Sequence, residues 1–145
     1  MIIGEFDDRG RPYVEGRVII PRLNINEIVT FLLDTGADGT CLHPRDARRA
    51  HMPFDQLGNR TTSRGIGGSS SYFREPAVLA FADKPQTRLY IYRLDLAIAE
   101  SHESNEGLPS LLGRDVINHW YMQYDPADAR LECTVRYADH TLDAT

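Results

Sequence analysis

The chain has 145 residues and a mass of 16.4 kDa, which is the size of one compact domain with a single core. We therefore expect residues 1–145 to form a single domain. Hydrophobic residues make up 41% of the chain and charged residues 26%, which excludes a disordered protein. The net charge of −5 and the absence of a run of basic residues argue against binding to nucleic acid.

No stretch of the sequence is typical of a membrane protein. The longest apolar stretches, such as residues 77–82, are far shorter than the roughly 20 residues that a membrane-spanning helix needs. Residues 1–8 are acidic, whereas a secretory signal begins with basic residues and continues with apolar ones. We therefore expect a cytoplasmic protein without a membrane partner. Its two cysteines, Cys41 and Cys133, are too few for a disulfide framework and are expected to be free, mostly buried thiols.

Short strands dominate the predicted secondary structure. In chain order, the patterns predict strands over residues 13–20 and 27–33, a short helix over 44–50, a strand over 88–97, a short helix over 115–120 and a strand over 130–137. Residues that favour turns separate these elements at 8–10, 65–68, 82–85 and 125–128. Many short strands with two small helices predict an all-β sandwich or barrel.

The most informative motif is Asp34-Thr35-Gly36, which follows directly on the apolar strand. In structural terms alone, this could be an ordinary turn, because Asp and Gly are common turn residues. In chemical terms, a carboxylate that activates water needs a second carboxylate beside it, so that the two share one proton. Gly36 would let two such loops approach closely, and the Thr35 hydroxyl could bond to the backbone of the opposing loop.

Three motifs together resemble a known family, the retroviral-type aspartic proteases or retropepsins. Residues 32–38 match the active-site loop of that family, 65–68 resemble the tip of its flap, and 111–115 resemble the segment that begins its helix. Arg11-Pro12 is a weaker, fourth match. The resemblance implies an all-β, closed acid-protease barrel with one or two short helices. It also implies an aspartic endopeptidase with a flap over residues 60–72.

The number of motifs predicts the oligomeric state. Aspartic-protease chemistry needs two carboxylates, but the chain contains a single Asp-Thr-Gly and no Asp-Ser-Gly. The second carboxylate must then be Asp34 of another copy, so the enzyme is expected to be active as a symmetric homodimer. By resemblance, one Asp34 deprotonates a bound water as the other protonates the carbonyl oxygen of a peptide substrate. This mechanism implies no cofactor, and activity with a single optimum below neutral pH.

The resemblance also assigns roles around the loop. Asp38 and Arg114 are expected to pair within one subunit at the dimer contact, where the planar guanidinium can donate two parallel hydrogen bonds. Arg11 is expected to reach Asp38 of the partner subunit. Ile66 and Gly67 would lie at the flap tip. The residues expected to bind substrate are Leu32, Ala37, Asp38, Ile66, Gly67, Pro109 and Leu111.

Several features depart from the viral pattern. Gly39 replaces an acidic residue that often follows the loop, and the helix predicted after His43 is an insertion. The chain also continues beyond Arg114 with a further strand, so the interface strands are uncertain and residues 1–6 are only one candidate. The five histidines lack the spacing of metal ligands, and no metal is expected.

Two other functions remain to be weighed. The main alternative is a dimerisation or peptide-binding module with the retropepsin fold and little turnover. The intact Asp-Thr-Gly argues against it, because a scaffold has no use for two facing carboxylates. A glycine-rich nucleotide-binding site is disfavoured, since residues 65–68 open no helix and no Gly-Lys-Ser/Thr follows them.

Overall fold

The computed structural model describes residues 1–65 and 68–143, and in this part of the chain strands far outnumber helices. The helices are α1 (Pro44–Arg49) and α2 (Arg114–Ile117), and none in the described residues is long and apolar enough to cross a membrane. The strands are β1 (Ile2–Ile3), β2 (Glu5–Phe6), β3 (Pro12–Ile20), β4 (Ile25–Leu33), β5 (Cys41–Leu42), β6 (Asn59–Gly65), β7 (Gly68–Ala82), β8 (Arg88–Ala99), β9 (Leu111–Leu112), β10 (Trp120–Asp125), β11 (Arg130–Val135) and β12 (His140–Asp143).

The all-β prediction is confirmed, and most of the predicted elements are present. The four predicted strands correspond to β3, β4, β8 and β11, and the first predicted helix corresponds to α1. The predicted helix over 115–120 is wrong at its end, where Trp120 begins β10. Trp120 is held in the strand because it pairs with Val135, and its indole Nε1 donates a 2.8 Å hydrogen bond to the hydroxyl of Tyr92.

Six strands close into a barrel. The ring runs β8-β5-β9-β4-β3-β7 and returns to β8, because the long strand β7 pairs with both β3 and β8. Apolar side chains fill the interior, and they alternate with less buried residues along β3 and the second half of β4, as expected for a sheet that is buried on one face. The largest of these fully buried side chains include Val14, Val18, Phe31, Leu79, Phe81, Leu96, Ile98 and Leu112.

The order of strands explains why a loop is exposed at one end of the barrel. β9 lies between β4, to which it is parallel, and β5, to which it is antiparallel. Leu33 pairs with Leu112 at the end of β4, and Cys41 pairs with Leu111 at the start of β5. The chain must therefore pass around the end of β9 to go from β4 to β5. Residues 34–40 form this crossing loop.

Two smaller structures extend from the barrel. β6 and the first part of β7 form a hairpin whose pairing runs from Asn59–Arg74 to Gly65–Gly68. On another side, β1, β11 and β10 form a three-stranded sheet. Within residues 1–6, which were a candidate interface strand, Ile2 and Ile3 pair with Cys133 and Glu132 of the same chain.

Candidate active site

The carboxylate of Asp34 is held at the end of β4 by the backbone around it. Its Oδ1 accepts a 2.9 Å hydrogen bond from the backbone N–H of Gly36. The backbone N–H of Asp34 donates to the carbonyl of Leu112 at 3.0 Å, which continues the pairing of β4 with β9. The Asp34 side chain remains partly exposed. A carboxylate is thus fixed in orientation and open to solvent, as a group that binds a water requires.

Arg114 ties the loop to the start of α2. Its backbone N–H donates to the carbonyl of Ala37 at 2.9 Å, and its Nη1 donates to the carbonyl of Thr35 at 2.7 Å. Its Nη2 contacts the carboxylate of Asp38. The structure thus brings Arg114 and Asp38 together within one chain. The Asp38 side chain is 95% exposed, so in a single chain the pair contributes little to stability.

Asp115 holds the other end of the loop, a role that sequence reasoning missed. Its Oδ1 accepts from the hydroxyl of Thr40 at 2.7 Å, and its Oδ2 accepts from the backbone N–H of the same residue at 2.9 Å. The Thr40 hydroxyl oxygen in turn accepts from the backbone N–H of Gly113 at 3.1 Å. Thr40 is fully buried. The signal was present in the sequence, because Asp115 belongs to the third matching motif.

The expected pocket residues Leu32 and Leu111 pair directly between β4 and β9. Pro109, two residues before Leu111, accepts a 2.6 Å hydrogen bond at its carbonyl from Nδ1 of His43. Ala37 lies in the crossing loop, and its backbone N–H donates to the Asp34 carbonyl at 3.1 Å. These residues therefore surround the base of the loop that carries Asp34.

A buried polar cluster connects helix α1 to the segment before β9. The hydroxyl of Ser110 donates to Asp46 Oδ2 at 2.7 Å and accepts from the backbone N–H of His43 at 3.0 Å. All three residues are buried. Arg49 and Arg45 lie 3.5 and 3.8 Å from the Asp46 carboxylate and offset its buried charge. No feature of the sequence indicated that α1 would bond to the segment before β9.

The hairpin of β6 and β7 corresponds to the predicted flap over residues 60–72. Its expected tip residues, Ile66 and Gly67, lie outside the described residues. Its base is held by Glu75, a buried carboxylate on β7. Arg22 donates to both oxygens of this carboxylate, with a shortest distance of 2.6 Å, and its Nη2 also donates to the carbonyl of Gln56 at 2.9 Å.

Arg11 is bound within its own chain. Its Nε donates to Asp7 Oδ2 at 2.7 Å. The backbone N–H of Arg11, followed by its guanidinium, lowers the pKa of Asp7. The expected contact of Arg11 with the partner's Asp38 stays a prediction, and it would compete with this local pair.

Both cysteines are free and buried, as expected. Cys41 directly follows the crossing loop and packs with Ala97, Ala99 and Tyr72 in a small cluster separate from the main core. Burial raises the pKa of the Cys41 thiol to about 12. Such a thiol is neutral and inert near neutral pH. In the part of the chain that the structure describes, no three His, Cys, Asp or Glu side chains gather as metal ligands.

Comparisons with known proteins agree with this geometry. A family model described as aspartyl protease matches residues 21–116, which include the crossing loop, the hairpin and the start of α2. The fold is similar to that of a retropepsin-like aspartic protease from Rickettsia conorii. That similarity has a TM-score of 0.58 at 17% identity and covers 90% of this chain and 95% of the other. The EIAV protease in complex with the inhibitor HBY-793 is also similar, with a TM-score of 0.49 at 21% identity, over 78% of this chain and 90% of the other. No curated protein matches the sequence.

Proposed function

The chain belongs to the aspartyl protease family, and on that premise we propose that it is a retropepsin-like endopeptidase that works as a symmetric homodimer. The observation that carries this proposal is the Asp34 carboxylate, which stands partly exposed at the end of β4 with its orientation fixed by the Gly36 N–H. We further propose that residues 1–145 act as one catalytic domain.

The hydrogen bonds and ion pairs of two other carboxylates near the crossing loop support a dyad between two chains. Asp38 contacts Arg114, and both oxygens of Asp115 accept bonds from Thr40. Neither is therefore free to share a proton with Asp34. In the proposed dimer the second carboxylate is Asp34 of another copy, brought face to face across a two-fold axis.

In the proposed reaction the two Asp34 carboxyl groups share one proton and hold a water between them. The ionised carboxylate takes a proton from the water as the water oxygen attacks the scissile carbonyl carbon. The protonated carboxyl gives its proton to the carbonyl oxygen, which produces a neutral tetrahedral diol. When the C–N bond breaks, one carboxyl protonates the leaving amine and the other takes a proton from the diol, which restores the dyad.

Substrate would lie extended between the hairpin and the crossing loop. An extended peptide makes main-chain hydrogen bonds of the β type, and its alternate side chains enter pockets. We propose that Ile66 and Gly67 at the hairpin tip contact the peptide backbone. The residues proposed to form the pockets or their edges are Leu32, Ala37, Asp38, Pro109 and Leu111.

The test is cleavage of a peptide library by the purified protein. We expect cleavage that a statine inhibitor blocks and that Asp34→Asn abolishes, since the amide cannot act as the base. Asp55→Asn, an isosteric change at an exposed residue of the same chain, is the matched control and should leave activity unchanged. Adding an excess of the Asp34→Asn protein to wild type should suppress cleavage, because mixed dimers contain a single carboxyl.

Two outcomes would contradict the proposal. Cleavage that survives Asp34→Asn would place the chemistry elsewhere. Binding of peptides without turnover, at any protein concentration or pH, would instead support the peptide-binding module with the retropepsin fold.

A further inference from the structure

Arg74 lies on β7 beside the active-site loop and has no role in the mechanism above. Its backbone pairs with Ala97 of β8 and with Asn59 of β6, where the hairpin leaves the barrel. Its side chain extends toward the crossing loop. The Nη1 atom lies 4.0 Å from the position that a Cβ atom on Gly39 would occupy. A cation is thus placed where the hairpin and the loop that carries Asp34 approach one another.

Within residues 1–65 and 68–143, Arg74 forms no ion pair with an aspartate or glutamate side chain. All aspartate and glutamate residues belong to the described residues, and none of these carboxylates lies within 4.0 Å of Arg74. Asp115 Oδ2 stands 3.6 Å from the same point above Gly39, but it already accepts a bond from Thr40. Arg74 is also only half-exposed, so water solvates its guanidinium incompletely.

Small residues lie near Arg74. Gly39 contributes no side chain at the point that the guanidinium faces. Ala97, which pairs with Arg74, belongs to a cluster of small side chains with Cys41, Ala99 and the partly buried Tyr72. The field of the cation reaches this cluster, because the Arg74 charge opposes the effect of burial on the pKa of the Cys41 thiol.

We propose that Arg74 is a specificity-determining residue, which binds an aspartate or glutamate side chain of the substrate near the scissile bond. This inference rests on the proposed protease function and names the substrate class of the same site. A half-buried guanidinium is best satisfied by a ligand that accepts two hydrogen bonds and donates none. A carboxylate is such a ligand. The chain carries a net charge of −5, so long-range attraction would not favour acidic peptides, and the selection must be local.

The test uses pairs of apolar octapeptides. The two members of a pair are identical except at one position, which is Glu in one member and Gln in the other, and each of the eight positions is tested in turn. We expect wild type to cleave the Glu member of the best pair with a kcat/KM roughly 10-fold higher than the Gln member. Arg74→Gln should reduce this ratio to about one without abolishing cleavage of the Gln peptide. Arg74→Glu should favour the corresponding Lys peptide. The preference of wild type should also weaken at high salt, because the contact is electrostatic.

Arg17→Gln is the matched control, because it removes the same charge from β3, where Arg17 bonds to Asn26. This variant should keep the Glu preference. Binding of these peptide pairs to the Asp34→Asn protein, measured by fluorescence anisotropy, provides a second readout that needs no turnover.

The two readouts separate this inference from the proposed function. Cleavage or binding without a Glu preference in wild type, or a preference that Arg74→Gln retains, overturns the role of Arg74 and leaves the protease proposal intact. A Glu preference in binding that depends on Arg74, in a protein that cleaves nothing, supports the role of Arg74 and overturns the protease proposal.

Discussion

The crossing loop can fold back on the start of α2 only because Gly113 has no side chain. A Cβ atom on Gly113 would lie under 3.0 Å from backbone atoms of Gly39, closer than real Cβ atoms approach. The neighbouring residues Arg114 and Asp115 then bond to the two ends of the same loop. Three consecutive residues therefore fix the loop that carries Asp34, one by its lack of a side chain and two by hydrogen bonds.

We expect Gly113→Ala to damage both stability and activity. The added methyl group meets backbone rather than a flexible side chain, so the loop must shift, and the free energy of unfolding should fall by roughly 1–3 kcal/mol. Since the shift moves Asp34, kcat/KM should fall as well. Chemical denaturation and peptide cleavage measure the two effects. Gly107→Ala is the control, because nothing lies within 4 Å of its added Cβ. Equal behaviour of the two variants would show that the close approach is unimportant.

The Cys41 thiol is a second single residue whose properties depend on burial. Its pKa is raised from 9.0 to about 12 by burial, so the folded state holds the proton more tightly than the unfolded state. The contribution of the neutral thiol to stability is therefore complete below pH 9 and is lost as the pH rises toward 12. Near neutral pH, iodoacetamide should label Cys41 much more slowly in the folded protein than in urea, as mass spectrometry would show. Rapid labelling of the folded protein would mean that the thiol is accessible.

Among the secondary-structure elements, helix α1 supports the segment before β9 that is proposed to line the substrate pocket. The helix contributes Asp46, and His43 precedes it, while Ser110 and Pro109 lie on the segment that leads into β9. The hydrogen bonds among these residues are buried and replace contacts with water. Helix α1 and the residue before it thus hold the segment that carries Pro109 and leads to Leu111, which are proposed to touch the substrate.

We expect Asp46→Ala to destabilise the protein and to weaken substrate binding. It leaves the buried Ser110 hydroxyl without its acceptor, which costs about 1–3 kcal/mol of unfolding free energy. Loss of this bond should loosen the segment that carries Pro109 and Ser110. We therefore expect KM for an apolar peptide to rise more than kcat falls. Asp46→Asn keeps an acceptor oxygen and should restore most of both properties, and Asp55→Ala, at an exposed site, should change neither. A loss of stability with an unchanged KM would limit the cluster to a structural role.

Formation of the proposed dimer would change the surroundings of Arg114. In one chain Asp38 is 95% exposed, and its pair with Arg114 is weak. If a second copy covers this region, the pair loses its water and the geometry of its hydrogen bonds becomes important. Arg114 bonds to Thr35 and Asp38 at once, which a lysine ammonium on its flexible stem reproduces poorly.

We therefore expect Arg114→Lys to weaken dimerisation and activity together. Cleavage per chain should rise with protein concentration in wild type, and in the variant the midpoint of this rise should shift to concentrations roughly 10-fold higher or more. Sedimentation should show the same shift. Arg88→Lys, in an exposed pair with Asp143, is the control. A fully active dimer of Arg114→Lys would remove this role, and activity independent of concentration in a monomer would argue against the dyad between two chains.

Local features could be predicted from residue patterns and motifs. Residues that favour strands indicated β3 and β4, and alternation of apolar and polar residues, partial in β8, indicated β8 and β11. The resemblance to retropepsin motifs indicated the loop around Asp34 and the Gly-Arg-Asp segment. The end of the second helix was wrong because Trp120 is held in β10 by pairing and by a hydrogen bond to Tyr92, which are contacts with distant residues.

The contacts between distant residues could not be predicted from these patterns. The closed barrel depends on β7 pairing with both β3 and β8, and the position of β9 between β4 and β5 forces the crossing loop around Gly113. The bonds of Asp115 to Thr40 and of Asp46 to Ser110 span 75 and 64 residues, respectively. The same holds for the approach of Arg74 to Gly39. No local pattern encodes such contacts, because they follow from the order in which strands pair and from the packing of side chains between them.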